Sequence, residues 1–292
     1  MKIRIITGLM LAAMAIIALW NLMTPMIGLL IIPFAALAAY EVLHVARVKS
    51  KPMIVLGISV AAVISPLIEY QVLQKLRIPM VLVLMVYAFT LCVMMLCSKE
   101  KKFSDVLMTM LGSLSIPAAM SSVTLIRDSI HQHELADFEQ NLAIFFLFFT
   151  FCCAWLTDSF AFFVGVKFGK HKLCPDISPK KTVEGALGGI LCTALVNMGF
   201  ALMFNAFFLD IFRIRIWAVG IISLPICVVS IIGDLTASII KRNYGVKDYG
   251  KLFPGHGGVM DRFDSLLFVA PFVYLLIETM FRLNVEAFYF VR

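Results

Sequence analysis

Between Asp234 and Asp264 the chain concentrates acids, bases and glycines in a way that apolar surroundings do not require. On a helix, Asp234, Ser238 and Lys241 recur at i, i+4 and i+7 and share one face. With Lys241 at a membrane surface, Asp234 lies roughly 10 Å deeper at 1.5 Å per residue. A carboxylate at that depth faces a cavity or a partner; the plain alternative is an ion pair with a Lys or Arg of a neighbouring helix. After Arg242 come Gly245, Lys247, Asp248, Gly250 and Lys251, then Pro254-Gly255-His256-Gly257-Gly258. Pro-Gly breaks the helix, and paired glycines let backbone N–H groups approach a ligand closely. With Lys and Arg nearby, such a turn suits phosphate oxygens. Asp261 and Asp264 stand at i and i+3 and open the next apolar run on one helical face. Their bland reading is acids matched to a helix dipole. Interleaved acids and bases predict instead a Mg²⁺–polyphosphate site, with carboxylates on the metal and cations on the phosphates.

A second constellation carries the same chemistry. Asp158 lies inside an apolar run, nine residues before Lys167, about 13 Å deep by helical rise. Gly165 and Gly169, at i and i+4, form a small-residue stripe that suits helix packing. Lys170-His171-Lys172 and Ser178-Pro179-Lys180-Lys181-Thr182-Val183-Glu184-Gly185 follow. Two hydroxyls and two cations just before a helix start are well placed for anions, although solvated juxtamembrane charge would also account for the lysines.

These residues resemble a known family. Ser238-x-x-Lys241-Arg242, Lys247-Asp248, Pro254-x-His256-Gly257-Gly258 and Asp261-Arg262-x-Asp264 are similar to the signature of the phosphatidate cytidylyltransferases, also called CDP-diacylglycerol synthases. Asp158, the Gly165 and Gly169 pair, and SPKKTVEG resemble that family's other shared block. Phe162 stands where relatives often carry Tyr. The likeness is specific from about Asp158 to Asp264; before that only a hydrophobic pattern is shared.

Something must hold these groups, and the composition says what. Hydrophobic residues make up 61% of the 292 and charged residues 15%, the balance of an all-α, polytopic membrane protein. Runs long enough to span a bilayer occur near 4–22, 26–46, 52–69, 78–98, 104–126, 142–166, 185–209, 214–240 and 265–287, which predicts about nine helices. The expected division is 1–141, N-terminal scaffold and lipid-facing helices, and 142–292, the catalytic region. With the N-terminus inside, 18 of the 25 basic residues fall on one side, which puts both constellations in an interfacial cavity facing the cytoplasm. The net charge of +7 needs no nucleic acid; a basic face against anionic headgroups suffices. Of seven cysteines, only Cys174 lies in a loop, and no metal or disulfide pattern is present. Glu41 and His44, at the cytoplasmic end of the second run, read as surface groups.

The resemblance implies a reaction: CTP and phosphatidate give CDP-diacylglycerol and pyrophosphate, in what is expected to be the inner membrane of a bacterium. It implies Mg²⁺ chiefly on Asp234 and Asp261, with Asp264 and Asp158 as further acids and a second cation open. Lys180, Lys181, Lys241, Arg242 and Lys247 would hold triphosphate or lipid phosphate, and His256 would orient a phosphate or move a proton. A homodimer is compatible with the sequence, which does not dictate it. Two rivals remain open: a CTP-dependent enzyme acting on another lipid phosphate, or an ion-coupled transporter using Asp158 and Asp234.

Overall fold

The computed structural model of the protein describes residues 17, 21, 24, 26–70, 72–98, 102–131, 139–208, 212–255, 257–282 and 289–291. Among the described residues, seven helices are long and apolar enough to cross a membrane: α1 Met26–Val45, α2 Lys51–Glu69, α3 Met80–Cys97, α4 Phe103–Ile130, α5 Asn141–Phe168, α6 Val183–Phe207 and α7 Ile216–Asn243. They coincide with seven of the predicted runs, and the chain is an integral membrane protein. A single turn, α8 Met260–Phe263, precedes α9 Leu266–Arg282, which falls on the last predicted run. The first run lies, apart from residues 17 and 21, outside the described residues.

Local chemistry explains the elements. In α3, 18 residues carry no charge and only Tyr87 and Leu91 are buried, the pattern of a helix facing lipid. Pro52 sits at the start of α2, where a missing N–H costs nothing. Both α4 and α5 contain one π-helical turn, Leu111–Ser115 and Cys152–Leu156. Two short antiparallel pairs join the helices: β1 Lys172–Cys174 with β2 Ser178–Thr182, and β3 Phe212–Ile214 with β4 Tyr289–Val291. The all-α class holds, with these two short strand pairs as additions.

The chain folds into two compact units: Met1–Thr124 with Lys241–Phe263, and Leu125–Ile240 with Asp264–Arg292. In the first, α1 packs on α2 and on the π turn of α4. Gly112 faces Ala39 there, and a Cβ at 112 would meet the Ala39 carbonyl oxygen at an ordinary contact distance of 3.5 Å. Leu43, Met53, Tyr87, Leu91 and Val106 form a core, and Tyr244 packs against it. The Tyr87 hydroxyl meets Ser113 Oγ at 2.6 Å, which satisfies a polar group away from water.

In the second unit, α5 lies against α6 along glycines. A Cβ at Gly185 would come within 2.6 Å of the Ala161 carbonyl oxygen and 3.0 Å of Gly165 Cα. The stripe at Gly165 and Gly169 is therefore a packing surface for α6 and for Thr182. Phe145, Phe149, Phe200 and Phe204 stack nearby and fill the apolar interior.

Candidate active site

The second unit gathers one cluster from three elements. Asp158 comes from α5, just past its π turn; Lys181 comes from the end of β2; Asp234 comes from α7. Lys181 Nζ donates to Asp158 Oδ1 at 3.1 Å and pairs with the Asp234 carboxylate. Ser265 Oγ donates to Asp158 Oδ2 at 2.8 Å. One ammonium thus serves two acids, and a hydroxyl holds one of them in place. Burial works to lower the Lys181 pKa, but Asp158 and Asp234 outweigh it and hold the ammonium above its ordinary value. Next to it, Thr182 caps α6, its hydroxyl accepting from Gly185 N at 3.1 Å. That cap fixes the end of β2 and so aims Lys181. The ion pair weighed against a metal ligand for Asp234 is therefore present, made by Lys181 rather than by a helix residue.

The first unit gathers another. Lys241 Nζ donates to Asp261 Oδ1 at 2.9 Å, with their side chains 10% and 4% exposed. The other oxygen of Asp261 accepts from Tyr249 N at 2.7 Å and Gly258 N at 3.0 Å. Lys241 Nζ also lies 5.3 Å from the centre of the Tyr249 ring. Gly257, at φ +81°, makes the turn that presents these amides.

Glu41 corrects an expectation. It is not a surface group: it is 6% exposed and accepts from Val259 N at 3.0 Å and Met260 N at 2.9 Å. Its place at the cytoplasmic end of the second run suggested a surface group. The better signal was an acid inside an otherwise apolar run, which calls for a partner. Ser265 and Tyr249 were also missed, one because a serine beside Asp264 carries no pattern, the other because a backbone N–H that holds Asp261 leaves no mark in the sequence.

Among the described residues, no group of three or more His, Cys, Asp or Glu side chains is disposed to hold a metal. Asp158 and Asp234 share the Lys181 ammonium, and Asp261 is engaged by that of Lys241. An ammonium lodged between two carboxylates, one of them also held by a hydroxyl, marks a cation position with oxygen donors. Mg²⁺ takes such donors, typically one or two carboxylates with waters and substrate phosphates. The residues fit it.

The match to known proteins agrees with this chemistry. A family model described as the cytidylyltransferase family matches residues 2–280. The chain belongs to that family. A protein of Staphylococcus haemolyticus (strain JCSC1435) is 42% identical over 135 residues, 46% of this chain and 50% of that one. One of Staphylococcus saprophyticus (strain ATCC 15305) is 44% identical over 132 residues, 45% and 48% of the two chains. One of Staphylococcus aureus (strain COL) is 41% identical over 132 residues, again 45% and 48%. Each of the three carries the name phosphatidate cytidylyltransferase. The chain spans about half the length of the curated relatives it matches.

The other predicted residues of this chain fall as follows. Lys180, Arg242, Lys247, Asp248 and Arg262 are exposed, and Ser178 and Ser238 are half-buried. Arg242 donates to the Val246 carbonyl at 3.1 Å. Gly258 is buried. Asp264 is buried too, and its Oδ1 accepts from Ser265 N at 2.8 Å. Asp261 and Asp264 do not open one helix: α8 stops at Phe263 and a turn intervenes before α9. His256 lies outside the described residues.

Proposed function

We propose that the protein transfers CMP from CTP to phosphatidate, giving CDP-diacylglycerol and pyrophosphate. The carrying observation is the Lys181 ammonium lodged between Asp158 and Asp234, with Asp158 and Lys181 both in the block that resembles this family. Family membership and the names of the relatives support the same reading.

In this reaction a phosphatidate oxygen attacks the α-phosphorus of CTP, the bond to the β-phosphate bridging oxygen breaks, and pyrophosphate leaves with that electron pair. Two anions must meet, so positioning and charge neutralisation dominate. Mg²⁺, for which Asp234 with Asp158 in one unit and Asp261 in the other each offer carboxylate oxygen, would supply positive charge for the triphosphate when bound. Lys181 offers an ammonium that an arriving phosphate oxygen can claim from the carboxylates. Lys180, Arg242 and Lys247 are exposed cations that further phosphate oxygens could approach. Ser265 keeps Asp158 oriented, and Tyr249 N and Gly258 N do the same for Asp261. The attacking phosphate is already ionised at neutral pH, so His256 need only orient a phosphate. The 18-to-7 split of basic residues supports a cytoplasm-facing site in a bacterial inner membrane, with the enzyme working as a monomer or a homodimer.

Labelled CTP tests the reaction. With purified protein, phosphatidate and Mg²⁺, an α-phosphate label should enter the lipid fraction and a γ-phosphate label should leave as pyrophosphate. Lipid labelled from the γ position would make the protein a lipid kinase, and no lipid label from either would refute the reading.

A further inference from the structure

We propose that Glu41 of α1 is a positioning residue that fixes the turn Gly257–Asp261 and, through it, the carboxylate of Asp261; the inference rests on the function proposed above. Three consecutive amides of this turn are divided between two acids. Gly258 N donates to Asp261, whereas Val259 N and Met260 N donate to the two oxygens of Glu41. Val259 is fully buried and Met260 nearly so, which leaves their amides no water to turn to without Glu41. The turn would have to move to satisfy them, and Asp261 is bonded within the same run.

The glycines around Glu41 give an independent sign. Positive φ occurs at Gly245, Gly255 and Gly257, and not at Gly250 or Gly258. Backbone conformation therefore does not demand glycine at 250 or 258. Space does: a Cβ at either position would fall on the Glu41 carboxylate. Two positions of the loop are thus hollowed for one side chain more than 200 residues away in sequence. Lys241, Tyr249 and Glu41 approach Asp261 and its turn from three separate segments, so the carboxylate has a single place to be.

The test uses the full-length protein and three variants: Glu41→Gln, Glu41→Ala and Gly250→Ala. Glu41→Gln keeps shape and one acceptor but turns an NH₂ toward an amide N–H. It should lower kcat about 10- to 100-fold and raise the Mg²⁺ concentration for half-maximal rate by a similar factor, the effect of disturbing a residue behind a metal ligand. A merely structural role would reduce the amount of folded enzyme and leave that Mg²⁺ concentration unchanged. Hydrogen exchange gives a reading that needs no activity: amides 258–260 should exchange at least about 10-fold faster in Glu41→Gln and in Gly250→Ala. Adding Gly250→Ala to Glu41→Ala should cost nothing further, because the clash is with Glu41 itself. Wild-type Mg²⁺ dependence in Glu41→Gln, unchanged exchange, or multiplicative effects of the two sites would each overturn the proposal. A wild-type protein that forms no lipid-linked CMP would instead overturn the proposed reaction, while exchange and the double-mutant comparison would still decide the role of Glu41.

Discussion

Replacing Lys181 by Met removes one ammonium from between two carboxylates and keeps most of the side-chain volume. Asp158 and Asp234 would then face each other with no cation, so repulsion adds to the lost attraction. Breaking a buried pair costs about 3–5 kcal/mol. Here Lys181, Asp158 and Asp234 side chains keep 22%, 34% and 20% of their exposure, so water screens part of the charge. The expected loss is then about 2 kcal/mol. For a chain of this size that corresponds to a fall in Tm of roughly 4–8 °C. Divalent cation should restore much of it, because the two acids form an oxygen-lined cation position. The assay is thermal unfolding in detergent with and without Mg²⁺, with Lys181→Arg as the control that keeps the charge. Lys181→Met should gain more from Mg²⁺ than wild type does. A variant that melts with the wild type, or that gains nothing from Mg²⁺, would refute the cation position.

Asp234→Asn leaves Lys181 its bond to Asp158, so the unfolding midpoint should fall by no more than about 1 kcal/mol equivalent while turnover falls at least about 100-fold. Stabilisation by Mg²⁺–CTP as strong as in wild type would contradict that. The raised pKa of Lys181 makes its contribution complete at neutral pH and constant up to about 10. It should fade only as pH climbs through the folded-state value, so unfolding midpoints of wild type and Lys181→Arg should diverge above that pH and not below it. Cysteines introduced at Lys247 and Lys251 should react with reagents confined to the cytoplasmic side, and one at Gln132 from the opposite side; the reverse pattern would invert the assigned topology.

The membrane-spanning helices were legible because each needs a long apolar run and nothing else. The 28 residues of α7 carry Asp234, Ser238 and Lys241 at the spacing that predicted one face. The pairing of Asp158 with Lys181 was not legible, for it joins residues 23 apart across a hairpin that periodicity does not reveal. SPKKT has Pro and two lysines, so nothing in it announces a strand; it becomes one by pairing with Lys172–Cys174 and ends in the Thr182 cap. Glu41 was misread because sequence places it near a basic loop, whereas tertiary packing closes the signature loop over it. Likewise Gly250 and Gly258 looked like turn glycines, and only the neighbour shows that they make room for a carboxylate.

The central claim is tested most directly by reconstituting the protein in liposomes containing phosphatidate, adding CTP and Mg²⁺, and following lipid and pyrophosphate together. The account predicts one pyrophosphate released for each phosphatidate that gains a CMP mass, with both products absent in Asp234→Asn. Pyrophosphate without lipid-linked CMP, lipid-linked CMP at the wild-type rate in Asp234→Asn, or neither product from the wild type would contradict it.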